Sequence, residues 1–227
     1  MTLASRISRA LVLAPHPDDE VLGCGGAMAR IAASGGTVEV AVVTRGREPR
    51  FSVEQADEVR AEAEEAHALL GVAHTHFLDL PAAELDRIAR ADLNMAVGDV
   101  VERVKPDTLF VPFVGDLHFD HGLVFEAALV AARPRGTSYP IRVLAYETLS
   151  ETNWSAPNLS PAFHPNVFID ISDYIETKLR AFACFRSQCR LPPDERSLET
   201  LRALATVRGS SVTRLAAEAY MLIREVG

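Results

Sequence analysis

Two short clusters carry side chains suited to acid–base and metal chemistry. The first is His16-Pro17-Asp18-Asp19-Glu20 and the second is His118-Phe119-Asp120-His121. Three carboxylates beside an imidazole are costly to bury unless a cation compensates them. Like charges this close raise one another's pKa or recruit a metal. Taken alone, the first cluster is equally well explained as an acidic helix start, where Asp and Glu complement the macrodipole. Combined with the second, it gives a ligand set. His16, one carboxylate of Asp18 and Asp19, and His121 amount to two imidazoles and a carboxylate. That set, with one position left open, describes a hydrolytic zinc site, and it also suits non-haem iron. Such an ion lowers the pKa of water from about 15.7 to about 7. The aspartate left over is then a natural general base. The histidine left over can protonate a leaving amine or stabilise an oxyanion. Asp120 can orient an imidazole through its ring N–H.

The elements that must position these residues follow from the apolar pattern. Residues 10–13 form a short apolar run that ends at Pro15, and residues 38–43 are β-branched and apolar; both read as buried strands. Residues 75–78, 108–111, 143–146 and 167–171 are further strand candidates. Helical spacing is expected over residues 21–33, 53–70, 85–104, 123–132, 175–185, 198–207 and 216–226. Strands alternating with helices predict an α/β, Rossmann-like fold in a single domain over residues 1–227, with a mostly parallel sheet covered on both faces. Both clusters then fall just after strands, where open parallel sheets bind ligands. The run Gly23-Cys24-Gly25-Gly26 does not complete a dinucleotide fingerprint, because the third glycine position falls on Met28. Its small residues are expected to let the helix pack closely on the sheet. Residues 150–165 carry three prolines and read as a long loop near a site.

Composition narrows the function classes. The chain has 227 residues, 48% hydrophobic and 24% charged, which excludes disordered and fibrous classes. With 23 basic and 31 acidic residues the net charge is −8, which argues against a general nucleic-acid binder. No stretch approaches the roughly 20 apolar residues of a membrane span. Three cysteines without a CxxC argue against a disulfide framework, so a reducing cytoplasm is the expected location. Arg45, Arg47 and Arg50 cluster after the second strand and are candidates for a substrate anion, or else an ordinary polar loop. His67, His74, His76 and His164 read as structural, with His164 a candidate pocket residue. Trp154 and Phe163 are candidates for stacking on a sugar, and Asp79 for binding a hydroxyl.

The segments Pro15-His16-Pro17-Asp18-Asp19-Glu20 and His118-Phe119-Asp120-His121 resemble the signatures of the LmbE-like (PIG-L) family of zinc-dependent N-deacetylases. Weaker likeness extends through Val43-Thr44-Arg45-Gly46, Arg60 to Val72, Lys178 to Gln188 and Ala217-Glu218-Ala219-Tyr220. The resemblance implies removal of acetate from an N-acetylated amino sugar of the N-acetylglucosamine type or its conjugate. It implies zinc as cofactor, with Fe2+ an alternative, and a homo-oligomer, trimer or hexamer. It makes His16, Asp19 and His121 the metal ligands and Asp18 the base. His118 becomes the oxyanion stabiliser and proton donor, Asp120 its partner, and Arg60 a substrate contact. Some members carry a tyrosine just before the second signature, where this chain has Gly115-Asp116-Leu117. The alternatives are hydrolysis of another amide or ester, such as a thiol-conjugate amide, and a non-catalytic Rossmann-like binder.

Overall fold

The computed structural model describes residues 2–135 and 138–227. After a 3-10 turn at Ala4–Arg6 the chain alternates strand and helix. The elements are β1 (Arg9–Ala14), α1 (Asp19–Ala33), β2 (Thr37–Arg45), α2 (Val53–Leu70), β3 (His74–Pro81), α3 (Arg90–Val104), β4 (Thr108–Pro112) and α4 (Phe119–Ala131), followed by β5 (Arg142–Tyr146), β6 (Val167–Asp170), α5 (Ile175–Ala183), α6 (Leu198–Ser210) and β7 (Ala217–Glu225). The strands form one seven-stranded sheet in the order β3-β2-β1-β4-β5-β7-β6. The first five pair in parallel, and β7 runs antiparallel to both β5 and β6. The sheet is therefore mixed but mostly parallel, as the alternating pattern predicts.

Two apolar layers cover the sheet. Alternate residues of β1 point to opposite faces. Ala10 and Val12 join the layer that holds α1, α2, α5 and α6, while Leu11 and Leu13 join the layer that holds α3 and α4. Helix α1 lies close against the sheet because its glycines leave room. A Cβ on Gly26 would lie 2.7 Å from Ile171 Cδ1, and one on Gly23 would overlap the Tyr146 ring. This is the packing role expected for the glycine run.

Two expected elements differ. Residues 216–226 are not a helix but contain β7, inserted antiparallel between β5 and β6. The segment is rich in Ala, Glu, Met and Leu, which favour helices, but strand pairing on both sides overrides that preference. The long helix expected over residues 85–104 breaks at Ile88 and Ala89 into a 3-10 turn, Leu85–Arg87, and α3. Residues 150–165 contain no strand or helix, in keeping with the loop expected there. Among the described residues no helix is long and apolar enough to cross a membrane.

Candidate active site

The strand order reverses between β1 and β4, and both clusters leave the sheet at the carboxyl ends of these two strands. Such a switch point opens a crevice for ligands. Pro15 is anchored there by Thr44, whose backbone N–H and Oγ1 both donate to the Pro15 carbonyl. His16 and Asp18 then precede α1. Asp18 has φ 111°, a left-handed backbone that costs a β-substituted residue about 1–3 kcal/mol. Glu20 holds it there: Glu20 Oε2 accepts the Asp18 N–H at 3.1 Å. Glu20 Oε1 lies 3.0 Å from His67 Nε2, and His67 Nδ1 lies 2.8 Å from Thr75 Oγ1. His67 is thus structural, and its partner is the last residue of the first cluster.

The fold brings His16, Asp19 and His121 together, each offering a ligand atom within 4.8 Å of the others. Asp19 Oδ2 lies 3.2 Å from His16 Nδ1 and 3.2 Å from His121 Nε2. Yet Asp19 Oδ1 and His121 Nε2 are buried without a hydrogen-bond partner. Leaving such atoms unsatisfied costs about 1–3 kcal/mol each. Two buried polar atoms without partners, in a group of two imidazoles and a carboxylate, have the chemistry of a divalent-metal cradle, so the donor set fits the expected ion.

Carboxylates behind the ring nitrogens fix both imidazoles. His121 Nδ1 lies 2.8 Å from Asp116 Oδ2, and Thr152 Oγ1 donates to Asp116 Oδ1 at 2.6 Å. His16 Nε2 lies 3.1 Å from Asp120 Oδ2. Asp120 was expected to orient His118; its carboxylate instead faces His16 and accepts the backbone N–H groups of Ala83 and Leu85. The reason is local. His118 caps α4, and its Nδ1 accepts the Asp120 backbone N–H at 3.2 Å. That cap uses the face of the ring that Asp120 would otherwise address.

The electrostatics sort the groups. Burial would lower the pKa of His16, but its hydrogen bonds to Asp120 and Asp19 raise it to about 9. Burial also opposes the cation of His121, yet the charge of Asp19 and the bond to Asp116 raise it to about 10. Asp19 is held well below the usual carboxylate range, since the two histidines outweigh its burial. Asp18 is pushed up to about 8 by burial, with Arg196 opposing and Asp19 and Glu20 adding repulsion. Burial and the neighbouring His16 charge push His118 down to about 4. His118 is therefore a neutral ring, and because its Nδ1 accepts the Asp120 N–H its proton is on Nε2.

A cavity of about 480 Å3 opens beside these groups, and His16, Asp18 and His118 line it. Arg60 lines it too, stacked over Phe77 at 3.9 Å and paired with Asp79 at 3.4 Å. Of the arginine trio only Arg45 reaches the lining, and it pairs with Asp57; Arg47 bonds the Asp79 carbonyl and Arg50 the Ala83 carbonyl. Phe163 packs on Phe113, Trp154 bonds Glu195, and neither they nor His164 line the cavity. Three site residues had no sequence argument. Arg196 donates to Asp18 Oδ2 at 2.7 Å, Glu151 Oε2 accepts the His118 N–H at 3.1 Å, and Asp116 braces His121. The position of Asp116, five residues before His121, was the one readable signal among them.

Comparison with known proteins places this arrangement. The family described as GlcNAc-PI de-N-acetylase, PIG-L, matches residues 11–132, more than half of the chain and both clusters. Diacetylchitobiose deacetylase of Thermococcus kodakarensis is 28% identical over 196 residues, covering 80% of this chain and 70% of the relative. The 2'-N-acetylparomamine deacetylase of Streptomyces fradiae is 29% identical over 231 residues, covering 88% and 80%. The crystal structure of the conserved protein TT1542 from Thermus thermophilus superposes with a TM-score of 0.78 at 25% identity, covering 96% of each chain.

Proposed function

The chain belongs to the GlcNAc-PI de-N-acetylase (PIG-L) family, and on that premise we propose that it is a metal-dependent N-deacetylase. Its substrate is an N-acetylated amino sugar or a conjugate of one, and its products are acetate and the free amine. The observation that carries this reading is the group His16, Asp19 and His121, in which Asp19 Oδ1 and His121 Nε2 are buried without partners, with His16, Asp18 and His118 lining one cavity. Relatives named as deacetylases of diacetylchitobiose and N-acetylparomamine support the substrate class. In this reading residues 1–227 work as one domain.

His16, Asp19 and His121 hold the ion, for which zinc is the first choice and Fe2+ the second. When bound, it supplies Lewis acidity that polarises the acetamide carbonyl and acidifies water. Asp18 takes a proton from the water that attacks the acetyl carbon. Its Oδ2 is held by Arg196, so Oδ1 is the oxygen left to accept. His118 donates its Nε2–H to the carbonyl oxygen as that oxygen gains charge. The carboxyl of Asp18, whose burial favours the protonated form, then returns the proton to the nitrogen as the C–N bond breaks. Arg60, stacked on Phe77, and Asp79 offer polar contacts for the sugar farther along the cavity.

The test is product analysis on purified protein loaded with one equivalent of zinc. Equal amounts of acetate and primary amine are expected from an N-acetylhexosamine derivative. Asp18→Asn is expected to keep the ion and lose about 10²–10⁴-fold in turnover. Acetate from esters alone, with N-acetyl sugars untouched, excludes this reading.

A further inference from the structure

Arg196 joins two residues that hold left-handed backbones. Asp18 has φ 111° and Ser150 has φ 70°, conformations that residues other than glycine seldom adopt. Such strain persists only where the surrounding structure over-determines it. The guanidinium spans both residues: Nη1 donates to Asp18 Oδ2 at 2.7 Å, and Nε donates to Ser150 Oγ at 2.9 Å. Nη1 also donates to Gln188 Oε1 at 3.2 Å. Gln188 Nε2 in turn donates to Ser187 Oγ, which donates to the buried carboxylate of Glu62 on α2. The Arg196 backbone is fixed as well. Its N–H donates to Asp194 Oδ1 at 2.9 Å, and its carbonyl accepts the Arg190 N–H at 3.0 Å. The next residue, Ser197, caps α6. Among the described residues, the bond to Arg196 is the one ion pair that Asp18 makes, although Asp18 is buried next to Asp19 and Glu20.

We propose that Arg196 is the positioning residue of the base: braced on Ser150 and Gln188, it ties down Asp18 Oδ2 and so fixes where Oδ1 meets the attacking water. The proposal rests on the reading above, in which Asp18 takes a proton from that water. The proton passes to Asp18 Oδ1 and then to the departing nitrogen, while Arg196 keeps all its own protons. A carboxylate with one oxygen in a charge-assisted bond cannot turn without breaking that bond. The base is therefore aimed before substrate arrives, and a misplacement of about 1 Å costs about 10²-fold in rate. The brace uses two nitrogens of one planar fork, and lysine offers a single nitrogen in their place. Charge alone thus does not reproduce what Arg196 does.

Steady-state kinetics of the zinc-loaded full chain, on an N-acetylhexosamine derivative and on p-nitrophenyl acetate, test this. The ester's leaving group departs without a proton, so it reports on the activation of water alone. Arg196→Ala is expected to lower kcat about 10²-fold on both substrates with KM nearly unchanged. It is expected to keep its zinc, measured by atomic emission, because no ligand is altered. Arg196 lines the cavity, so the space it leaves opens to solvent and a free guanidinium ion can enter. Millimolar guanidinium chloride is expected to raise the turnover of Arg196→Ala about tenfold or more; urea, of similar shape and without charge, is expected to leave it unchanged. Arg196→Lys is expected to stay about tenfold or more below the parent. A parent that cleaves the ester and leaves the N-acetyl sugar untouched defeats the deacetylase reading, and the ester then still tests Arg196. A parent inert towards both defeats the reading and the proposal together. Parent-like kcat in Arg196→Ala, a raised KM in place of a lowered kcat, loss of zinc, full recovery by lysine, or no response to guanidinium would overturn the proposal.

Discussion

His121 is gripped at Nδ1, and the group behind it sets how well it can serve as a ligand. Asp116 Oδ2 lies 2.8 Å from Nδ1, and the Asp116 side chain is buried and itself held by Thr152. A carboxylate there fixes the ring's tautomer and leaves Nε2 as the free lone pair. Asp116→Asn keeps the shape but removes the charge. It is expected to lower divalent-metal affinity by about 10–100-fold with the fold intact, measured by competition with a chromophoric chelator; unchanged affinity would remove Asp116 from this role. His118 makes a contrasting case. Its pKa near 4 keeps the ring neutral across the physiological range, with the proton on Nε2. Nitrogen-15 NMR of the metal-free protein should show no titration of this ring between about pH 6 and 8, whereas a free histidine titrates near about 6.5. At this scale the ligand clusters were readable because each lies in one contiguous segment whose residue types leave few uses. Arg196 was not, since it reaches Asp18 from 178 positions away. Nor was the partner of Asp120, because the choice between His16 and His118 depends on which ring face the helix cap takes.

At the scale of elements, the position of α1 decides where His16 and Asp19 sit. Gly23 sets that position against the Tyr146 ring, and Tyr146 donates its hydroxyl to the Leu13 carbonyl near the end of β1 at 2.8 Å. A methyl group at Gly23 must displace the ring, the helix or both. Gly23→Ala is thus expected to cost about 1–3 kcal/mol by overpacking, read as a lower denaturation midpoint. Because Tyr146 is tied to β1, weaker metal binding should accompany it. A fully stable variant would mean that the contact relaxes freely. The packing role of these glycines was legible in the sequence, since small residues after a first strand have few other uses once the dinucleotide pattern fails. The last strand was not. Tyr220, Ala219 and Ala217 are buried, and β7 has strands on both sides. A strand covered on both faces loses the polar alternation that marks strands in sequence, and Ala, Glu and Met then favour the helical reading. Its burial also hides a charge. Glu218 on β7 accepts the N–H groups of Gly26 and Ala27 and pairs with Lys178 at 2.6 Å. The terminal strand thereby fastens α1 from below, a link that only the assembled sheet reveals.

For the molecule as a whole, the site exchanges protons for metal, and that exchange governs how stability varies with pH. In the metal-free protein His16 and His121 hold their protons up to about pH 9 and about pH 10, against 6.5 for the ordinary side chain. Burial works against both cations, but Asp19, Asp116 and Asp120 outweigh it. A histidine whose folded pKa is raised contributes stability that is fully present below its unfolded value. That contribution is lost as pH rises through the folded value, because over that range the folded state binds more protons than the unfolded one. His118 acts in the opposite sense: its folded pKa is depressed, so its contribution is lost as pH falls from about 6.5 towards about 4. Taken together the three histidines favour the metal-free fold most near pH 6.5 and less above it, while on the acid side Asp18, whose folded value is raised to about 8, binds a proton that offsets the loss from His118. Metal binding requires the same imidazoles to be deprotonated. Below about pH 9 a zinc ion must displace the protons of both His16 and His121, and only above about pH 10 are both nitrogens already free. The stabilisation by saturating zinc, which follows the ratio of ligand concentration to its dissociation constant, should accordingly increase from pH 7 to pH 9 while the metal-free protein weakens. Thermal unfolding followed by fluorescence, with and without zinc across this range, measures both curves. A zinc-induced rise in Tm that stays constant or shrinks from pH 7 to pH 9 would show that His16 and His121 do not hold these protons in the folded state.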